Sequence, residues 1–244
     1  MPATNKVYLP LVQGPSAPPP FYGLAWANQP PADLSLLAAD WFYVWGESLL
    51  SLQGMQSVPM LRPGWAGRLP ASYSGPLLFL NEPNVTIQDN LSPAAAAADF
   101  RRVKERYPAA QPVVGNVSIW ATRWLREFAQ LEPVTRVGVH CYLEAGFGVA
   151  YCDRELERLH ADLGVPIWVT EFNNVSPALE PFCDLLAMLE SKPWVERIAP
   201  FTNRQLGDWW DLPHCSLVAA DGSLLPKGRA YVERRQRSDY PAGV

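Results

Sequence analysis

Two glutamates, Glu82 and Glu171, stand at the ends of apolar runs that are typical of buried β-strands. Glu82 follows the apolar stretch of PLLFLNEPN, and Glu171 follows that of PIWVTEFN. In a parallel α/β barrel the carboxyl ends of the strands surround one pocket, so residues far apart in sequence meet there. Two facing carboxylates suit cleavage of a glycosidic bond, because one protonates the departing oxygen while the other attacks the anomeric carbon or activates water. We therefore predict that Glu82 and Glu171 form a catalytic pair.

The pattern of the chain favours the barrel that such a pair needs. Short apolar runs alternate with helical segments, which is typical of βα units around a parallel sheet. The predicted strands span residues 21–27, 42–47, 57–62, 76–84, 113–119, 136–143, 166–173 and 197–205. We expect an α/β fold, a compact (β/α)8 TIM barrel with a reduced third helix, because WAGRLPASYSG is too short for a full one. The alternative, an open doubly wound sheet, would more naturally carry a Gly-rich phosphate turn, which FYGLAWANQPP lacks.

Local signals predict where several helices begin and end. Asp33 is a candidate N-cap for the first helix, and Ser92 followed by Pro93 predicts the start of a long one. Gly164 predicts a C-cap. Asp221-Gly222 predicts a hairpin turn ahead of a last helix near residues 227–235.

Composition bounds the domain organisation and the partners. The 244 residues are 48% hydrophobic and 18% charged with a net charge of −4, which suits one barrel-sized domain. We expect a Pro-rich leader at 1–20, a catalytic barrel at 21–237 and a tail at 238–244. The chain has no basic footprint for nucleic acid and no apolar run of about 20 residues for a membrane helix. Four cysteines without a Cys-x-x-Cys pair and three scattered histidines predict no metal or cofactor.

The motifs around the two glutamates resemble a known enzyme group. Asn-Glu-Pro after strand four with Thr-Glu-Phe on strand seven is similar to clan A of the retaining glycoside hydrolases. More narrowly, NEPNVTIQDNLSPAAAAADF, VHCY and PIWVTEFN together resemble glycoside hydrolase family 128, small barrels whose known members cleave β-1,3-glucans. The resemblance implies that Glu82 is the general acid/base and Glu171 the nucleophile. The Pro-rich leader favours a secreted protein, and the short loops favour an open groove for endo-acting cleavage of a polysaccharide or oligosaccharide partner. We expect a monomer.

Other residues are predicted to hold the substrate or the catalytic groups. Asn81 would bind the sugar 2-hydroxyl, and Tyr142, on the same strand face as His140, would donate to the nucleophile. The general acid should have a pKa raised by burial and by its partner's charge. The tryptophans at or beyond strand ends are candidate sugar-stacking platforms: Trp26, Trp45, Trp209 and Trp210. Polar residues near strand ends are candidates for binding hydroxyls: Glu47, Arg62, Asn116 and Asn203. Four further tryptophans are predicted to lie in the core: Trp120, Trp124, Trp168 and Trp194.

Three alternatives remain at this stage. Another clan A activity is one, such as a mannanase, a β-1,4-glucanase or a peptidoglycan-directed glycosidase, because loop residues set the substrate. A non-catalytic carbohydrate-binding barrel is the second, although a retired site has no reason to keep both carboxylates. A serine-type hydrolase is the third and the weakest, because no Gly-x-Ser-x-Gly elbow occurs.

Overall fold

The structure is a computed structural model that describes residues 21–27, 30–52, 54–144, 146–205 and 214–237. Residues 1–20 and 238–244, and with them the predicted leader and tail, lie outside this range, as do Trp209 and Trp210. The strands are β1 (Gly23–Ala25), β2 (Trp41–Tyr43), β3 (Gln56–Val58), β4 (Met60–Leu61), β5 (Pro76–Phe79), β6 (Gln111–Ser118), β7 (Val137–Leu143), β8 (Ile167–Asn174) and β9 (Val195–Pro200). The helices are α1 (Ala32–Leu36), α2 (Pro93–Arg106), α3 (Arg123–Ala129), α4 (Val149–Leu163), α5 (Glu180–Glu190) and α6 (Pro226–Arg237), with a 3-10 turn at Ile119–Ala121.

All the strand pairs are parallel, and neighbours in the sheet follow the order of the chain. β1 to β3 form one sheet, and β4 to β9 form a second. Parallel bridges from Tyr22 to Ile198 and from Ala25 to Phe201 join the first strand to the last. This order is that of the predicted α/β barrel.

The break between the two sheets lies at Pro59, inside the predicted third strand. The residues before it pair with β2 and the residues after it pair with β5. Proline has no N–H to give to a ladder and is therefore found at sheet edges and irregularities. The Pro59 carbonyl still accepts from Leu78 N at 2.9 Å, so the chain crosses the break without losing that acceptor.

The prediction of a reduced third helix is confirmed, but the second helix is missing as well. No helix occurs between β4 and β5, nor among residues 44–52 and 54–55 between β2 and β3. The first helix is also only five residues long. The predicted N-cap Asp33 is wrong: Asp33 lies in the first turn, and its buried carboxylate accepts from Arg204 Nε at 2.7 Å and Nη2 at 2.8 Å.

The other predicted helix ends are confirmed. Ser92 caps α2 with its Oγ accepting from Ala95 N at 3.2 Å, and Pro93 is the first helical residue. Gly164 ends α4 with φ 65°, the left-handed conformation that glycine adopts without a steric penalty. The turn at Asp221-Gly222 is closed by one antiparallel bridge, Val218 to Leu224.

Two apolar clusters hold the fold together. The larger lies between the sheet and the helices, with Phe79, Phe100 and Phe128 in edge or tilted contact. The smaller fills the barrel interior and includes Trp41 and Trp168. Alternate residues of each strand enter the two clusters, as the two-residue period of a strand requires. The interior is therefore a packed plug.

The described residues also settle two smaller points. None of their helices is long and apolar enough to cross a membrane. The four cysteines are free thiols, at Cys141, Cys152, Cys183 and Cys215.

Candidate active site

A cleft of about 760 Å³ lies at the carboxyl-terminal ends of the strands and contains both predicted catalytic glutamates. Glu82 follows β5 and Glu171 lies in β8, on opposite walls of this cleft. Seven of the residues predicted from sequence line it: Trp45, Arg62, Asn81, Glu82, His140, Tyr142 and Glu171. The barrel therefore brings together most of the predicted site.

A bent segment after β5 presents Glu82. The backbone has positive φ at Leu80 (70°) and at Glu82 itself (43°), which is unusual for residues with a side chain. Asn116 holds this segment, because its carbonyl accepts from Glu82 N at 3.0 Å and its Nδ2 donates to Leu80 O at 2.8 Å. Asn116 lies where the β6–β7 register shifts, at a bulge of the kind that re-aims residues beside active sites.

Three donors surround the Glu171 carboxylate. Oε1 accepts from Tyr43 OH at 2.8 Å and from Trp45 Nε1 at 3.0 Å. Oε2 accepts from Tyr142 OH at 2.6 Å, the contact predicted from sequence. Burial, followed by the charge of Glu171, raises the pKa of both tyrosines well above the usual value, so they remain protonated donors. This arrangement fixes the carboxylate and stabilises its negative charge.

His140 lies between the two glutamates. Its Nδ1 is 3.1 Å from Glu82 Oε1 and 3.4 Å from Glu171 Oε2. These two carboxylate oxygens are therefore separated by no more than the sum of the two distances. The histidine side chain is fully buried, and Glu82 receives a second bond from Ser118 Oγ at 2.8 Å.

The electrostatics of the pair differ from the expectation that the pKa of Glu82 is raised. Burial does raise it, but the hydrogen bond and charge of His140, then Ser118 and Arg62, outweigh burial and leave a pKa below the usual value. Burial lowers the pKa of His140, but the charges of Glu171 and Glu82 reverse this and leave it raised. The two shifts favour the charged forms of both groups, an imidazolium at His140 next to a carboxylate at Glu82.

Four predicted binding residues do not line the cleft. Trp26 is buried against Phe42 with ring centroids 5.4 Å apart. Glu47 accepts from the backbone N–H groups of Ala66 and Arg68 and anchors a loop.

The two asparagines among these four are buried in the barrel. Asn116 acts on the backbone that carries Glu82. Asn203 donates to Asp33 Oδ2 at 2.9 Å and accepts from Ala27 N at 2.9 Å. A polar residue near a strand end can point into the wall as well as into the pocket, and burial decides between them.

Sequence reasoning missed several residues that the structure brings to the site. Tyr43 lies two positions before Trp45, on the same strand face, and this spacing was the available signal. Trp120, predicted to lie in the core, is 49% exposed and lines the cleft on the turn that follows β6. The remaining additional lining residues are Ile87, Gln88, Ser118, Ile119 and Glu144.

Two carboxylates close together at the mouth of a parallel barrel suit glycosidic cleavage, and comparison with known proteins gives the same class. Residues 23–231 match the family described as "Glycosyl hydrolase catalytic core", and the chain belongs to this family. No curated protein matches the sequence. The protein is therefore a glycoside hydrolase by family.

Solved structures narrow the similarity to glycoside hydrolase family 128. A subgroup II endo-β-1,3-glucanase from Sorangium cellulosum is 26% identical with a TM-score of 0.72, over 88% of this chain and 99% of that one. A subgroup I endo-β-1,3-glucanase from Amycolatopsis mediterranei, in complex with laminaripentaose, is 21% identical with a TM-score of 0.72, over 86% and 98%. A subgroup VII oligosaccharide-binding protein from Trichoderma gamsii is 18% identical with a TM-score of 0.67, over 88% and 95%. The resemblance to family 128 inferred from the motifs is confirmed.

Proposed function

We propose that the protein is a retaining, endo-acting hydrolase of β-1,3-glucan, with Glu171 as nucleophile and Glu82 as general acid/base. The observation that carries the proposal is the position of His140 Nδ1, 3.1 Å from one carboxylate and 3.4 Å from the other. The two distances limit the separation of the nearest pair of carboxylate oxygens. A close pair supports the retaining mechanism, whose carboxyl groups are roughly 5–5.5 Å apart, over the inverting mechanism, whose carboxyl groups are roughly 6.5–9.5 Å apart.

The two glutamates differ in their surroundings in the way that double displacement requires. Glu171, with its three donors, attacks the anomeric carbon while the bond to the leaving oxygen breaks and that oxygen takes the proton of Glu82. Water then attacks the same carbon, gives its proton to Glu82, and releases Glu171 from the covalent intermediate. Ser118 takes no part in the bond changes of either step, and its hydrogen bond keeps Glu82 oriented.

The acid role requires a proton on Glu82, whereas the directions of the two pKa shifts favour a proton on His140 in the free site. A sugar filling the cleft displaces water from Glu82 and removes solvent that stabilises its charge. Burial, already the largest influence on the pKa of Glu82, then increases and favours transfer of the proton from His140 to the carboxyl. His140 thus supplies the proton that Glu82 delivers.

The substrate assignment rests on the similarity to the Sorangium cellulosum endo-β-1,3-glucanase and on the form of the cleft. Trp120 (49% exposed) and Ile87 (88% exposed) give the cleft apolar surfaces on the Glu82 side, against which sugar rings would pack. A polymer of this kind is too large to enter a cell, so we propose that the protein is exported. We also propose that it acts as a monomer, because both glutamates and the three donors to Glu171 come from the same chain.

Product analysis tests the substrate and the mode of action. Laminarin, curdlan, mannan, cellulose-type glucan and peptidoglycan are incubated with the protein, and products are separated over time. Early release of mixed oligosaccharides from β-1,3-glucan alone supports the proposal, whereas release from another polymer identifies a different activity. If the protein binds laminari-oligosaccharides but releases no product, it is a binding protein. The similar structure from Trichoderma gamsii is described as an oligosaccharide-binding protein.

The stereochemistry of rescue tests the two roles. On an activated substrate, Glu171→Ala with added azide should give the α-glycosyl azide, because azide takes the place of the nucleophile. Glu82→Ala should give the β-glycosyl azide, because azide attacks the glycosyl-enzyme from the opposite face. The reverse pattern would exchange the roles of Glu82 and Glu171.

A further inference from the structure

A closed ring of hydrogen bonds lies beside Glu82 and joins four side chains. Arg62 Nε donates to Asp89 Oδ1 at 2.7 Å, and Arg62 Nη2 donates to Gln88 Oε1 at 3.3 Å. Asn81 Nδ2 donates to the same Gln88 oxygen at 3.2 Å. Asn81 N donates to Asp89 Oδ2 at 2.6 Å and closes the ring.

The chemistry of these groups allows one orientation of each amide. Arginine has only donors, so the group that Gln88 turns toward Arg62 must be its carbonyl oxygen. A carbonyl oxygen only accepts, so the group that Asn81 turns toward Gln88 must be its NH2. The Asn81 amide is thereby oriented by Arg62 through Gln88, although Arg62 makes no bond to the Asn81 side chain.

The consequence appears at the other end of the Asn81 amide. Asn81 is 3% exposed, and its Oδ1 is buried with no hydrogen-bond partner. A buried acceptor without a partner is costly, and a bound hydroxyl would supply the missing bond. Asn81 lines the cleft next to Glu82.

We propose that Gln88 is a positioning residue, which holds the Asn81 amide so that Oδ1 accepts a hydrogen bond from a hydroxyl of the reacting sugar. The proposal rests on the proposed function for its substrate. The Gln88 side chain is hydrogen-bonded to Arg62 and Asn81 and to neither glutamate. With the amide reversed, Asn81 would present an NH2 group, and the sugar hydroxyl could only accept from it and would have to donate its own proton elsewhere.

The test compares two substitutions that differ only in the acceptor. Gln88→Met keeps the length of the side chain and removes the oxygen, whereas Gln88→Glu keeps an acceptor for both Arg62 and Asn81. Thr86→Ala, at an exposed position of the same loop, is the matched control. Each variant is assayed with an aryl β-laminaribioside and with its analogue that lacks the 2-hydroxyl on the reacting sugar.

We expect Gln88→Met to lower kcat/KM about 10-fold on the hydroxylated substrate, the size of one lost hydrogen bond, and less than about 2-fold on the deoxy analogue. Gln88→Glu and Thr86→Ala should stay within about 3-fold of the parent on both. An equal loss on both substrates, or no loss on either, would overturn the proposal.

A second measurement does not depend on turnover. Hydrogen exchange of the Asn81 side-chain amide, followed by nuclear magnetic resonance, should be slow in the parent and in Gln88→Glu and faster in Gln88→Met. Unchanged exchange in Gln88→Met would show that Gln88 does not hold the amide. Failure to hydrolyse either substrate would contradict the proposed function, while the exchange result would still decide the role of Gln88.

Discussion

The two ends of the barrel both bury charged side chains, but they balance the charges differently. At the amino-terminal end, Glu196 is paired with Arg136 at 2.6 and 3.2 Å and accepts from Trp168 Nε1 at 2.8 Å. Arg197 lies over Trp168, 4.3 Å from the ring centroid, and donates to Gln56. Each charge there has a partner of opposite sign or an aromatic face.

At the carboxyl-terminal end, two carboxylates share one histidine. Glu82 and Glu171 both approach His140, and no second cation among the described residues bonds to either. Charges left incompletely balanced lower stability and are typical of functional sites. The amino-terminal end, called the lower end below, thus stabilises the fold. We expect the carboxyl-terminal end, called the upper end below, to hold groups ready to react.

The largest expected effect separates two glutamates at opposite ends. Glu171→Ala should lower kcat by about 10⁴-fold or more, since the reaction loses its nucleophile, without a comparable loss of stability. Glu196→Ala should leave kcat close to that of the parent and lower the thermal midpoint, because it leaves Arg136 without its partner. Steady-state kinetics and thermal unfolding of both variants check this. A large kinetic defect in Glu196→Ala would break the division between the two ends.

The next effect concerns the lower end alone. Burial lowers the pKa of Arg197 to about 10, but the guanidinium remains charged at neutral pH and stacks on Trp41 and Trp168. Arg197→Met keeps the apolar stem and should reduce the free energy of unfolding by about 2–4 kcal/mol through lost cation–π contacts and an unpaired Gln56. Denaturant unfolding measures the loss. Arg197→Lys keeps the charge but cannot form a planar stack, so its free energy of unfolding should lie between those of the parent and of Arg197→Met.

The fold and the meeting of the two glutamates in one cleft could be predicted from sequence because their signals are local. Alternating apolar runs mark the strands, and Glu82 and Glu171 are conspicuous carboxylates at two of their ends. The break at Pro59 was also visible in SVPMLR, since a proline interrupts a ladder. The absence of a helix between β2 and β3 had no equally clear signal.

The directions of side chains could not be predicted in the same way. Asn116 lies near the end of β6 and Asn203 follows β9, much as Asn81 follows β5, but a bulge at Asn116 and the buried Asp33 beside Asn203 turn both into the wall. Trp120 was assigned to the core because its apolar neighbours give no sign that a 3-10 turn exposes it. The role of Gln88 depends on a ring of contacts closed by Arg62 from another strand, which no local pattern contains.

A substitution at Gly138 in β7 tests whether Asn116 positions Glu82. A Cβ added at Gly138 would lie 2.0 Å from Asn116 Oδ1, so Gly138→Ala must displace the residue that holds the backbone of Glu82. We expect a loss of about 1–3 kcal/mol in the free energy of unfolding and a fall of about 10-fold in kcat. Gly148→Ala, where a Cβ meets nothing within 4 Å, is the control and should change neither. Loss of stability with unchanged kcat would show that Asn116 does not position Glu82.

The smallest effect is a dependence of stability on pH at the upper end. The pKa of His140 is raised in the folded protein, so its contribution is complete below the unfolded value of about 6.5 and is lost as the pH rises through the folded pKa. The pKa of Glu82 is lowered, so its contribution is complete above the unfolded value of about 4.3 and is lost as the pH falls through the folded pKa. Both contributions are therefore complete together between about pH 4.3 and 6.5.

His140→Asn places an amide near the position of Nδ1 and removes the titrating group. The parent should exceed this variant in stability by the largest margin between about pH 4.5 and 6.5, and the margin should narrow at higher pH as His140 loses its charge in the folded protein. Denaturant unfolding across this pH range measures the margin, with Glu196→Gln as a lower-end control whose own margin should not narrow above pH 6.5. A margin for His140→Asn that stayed constant with pH would mean that the proton is not held between His140 and Glu82. The upper end would then balance its charges without a mobile proton, as the lower end does.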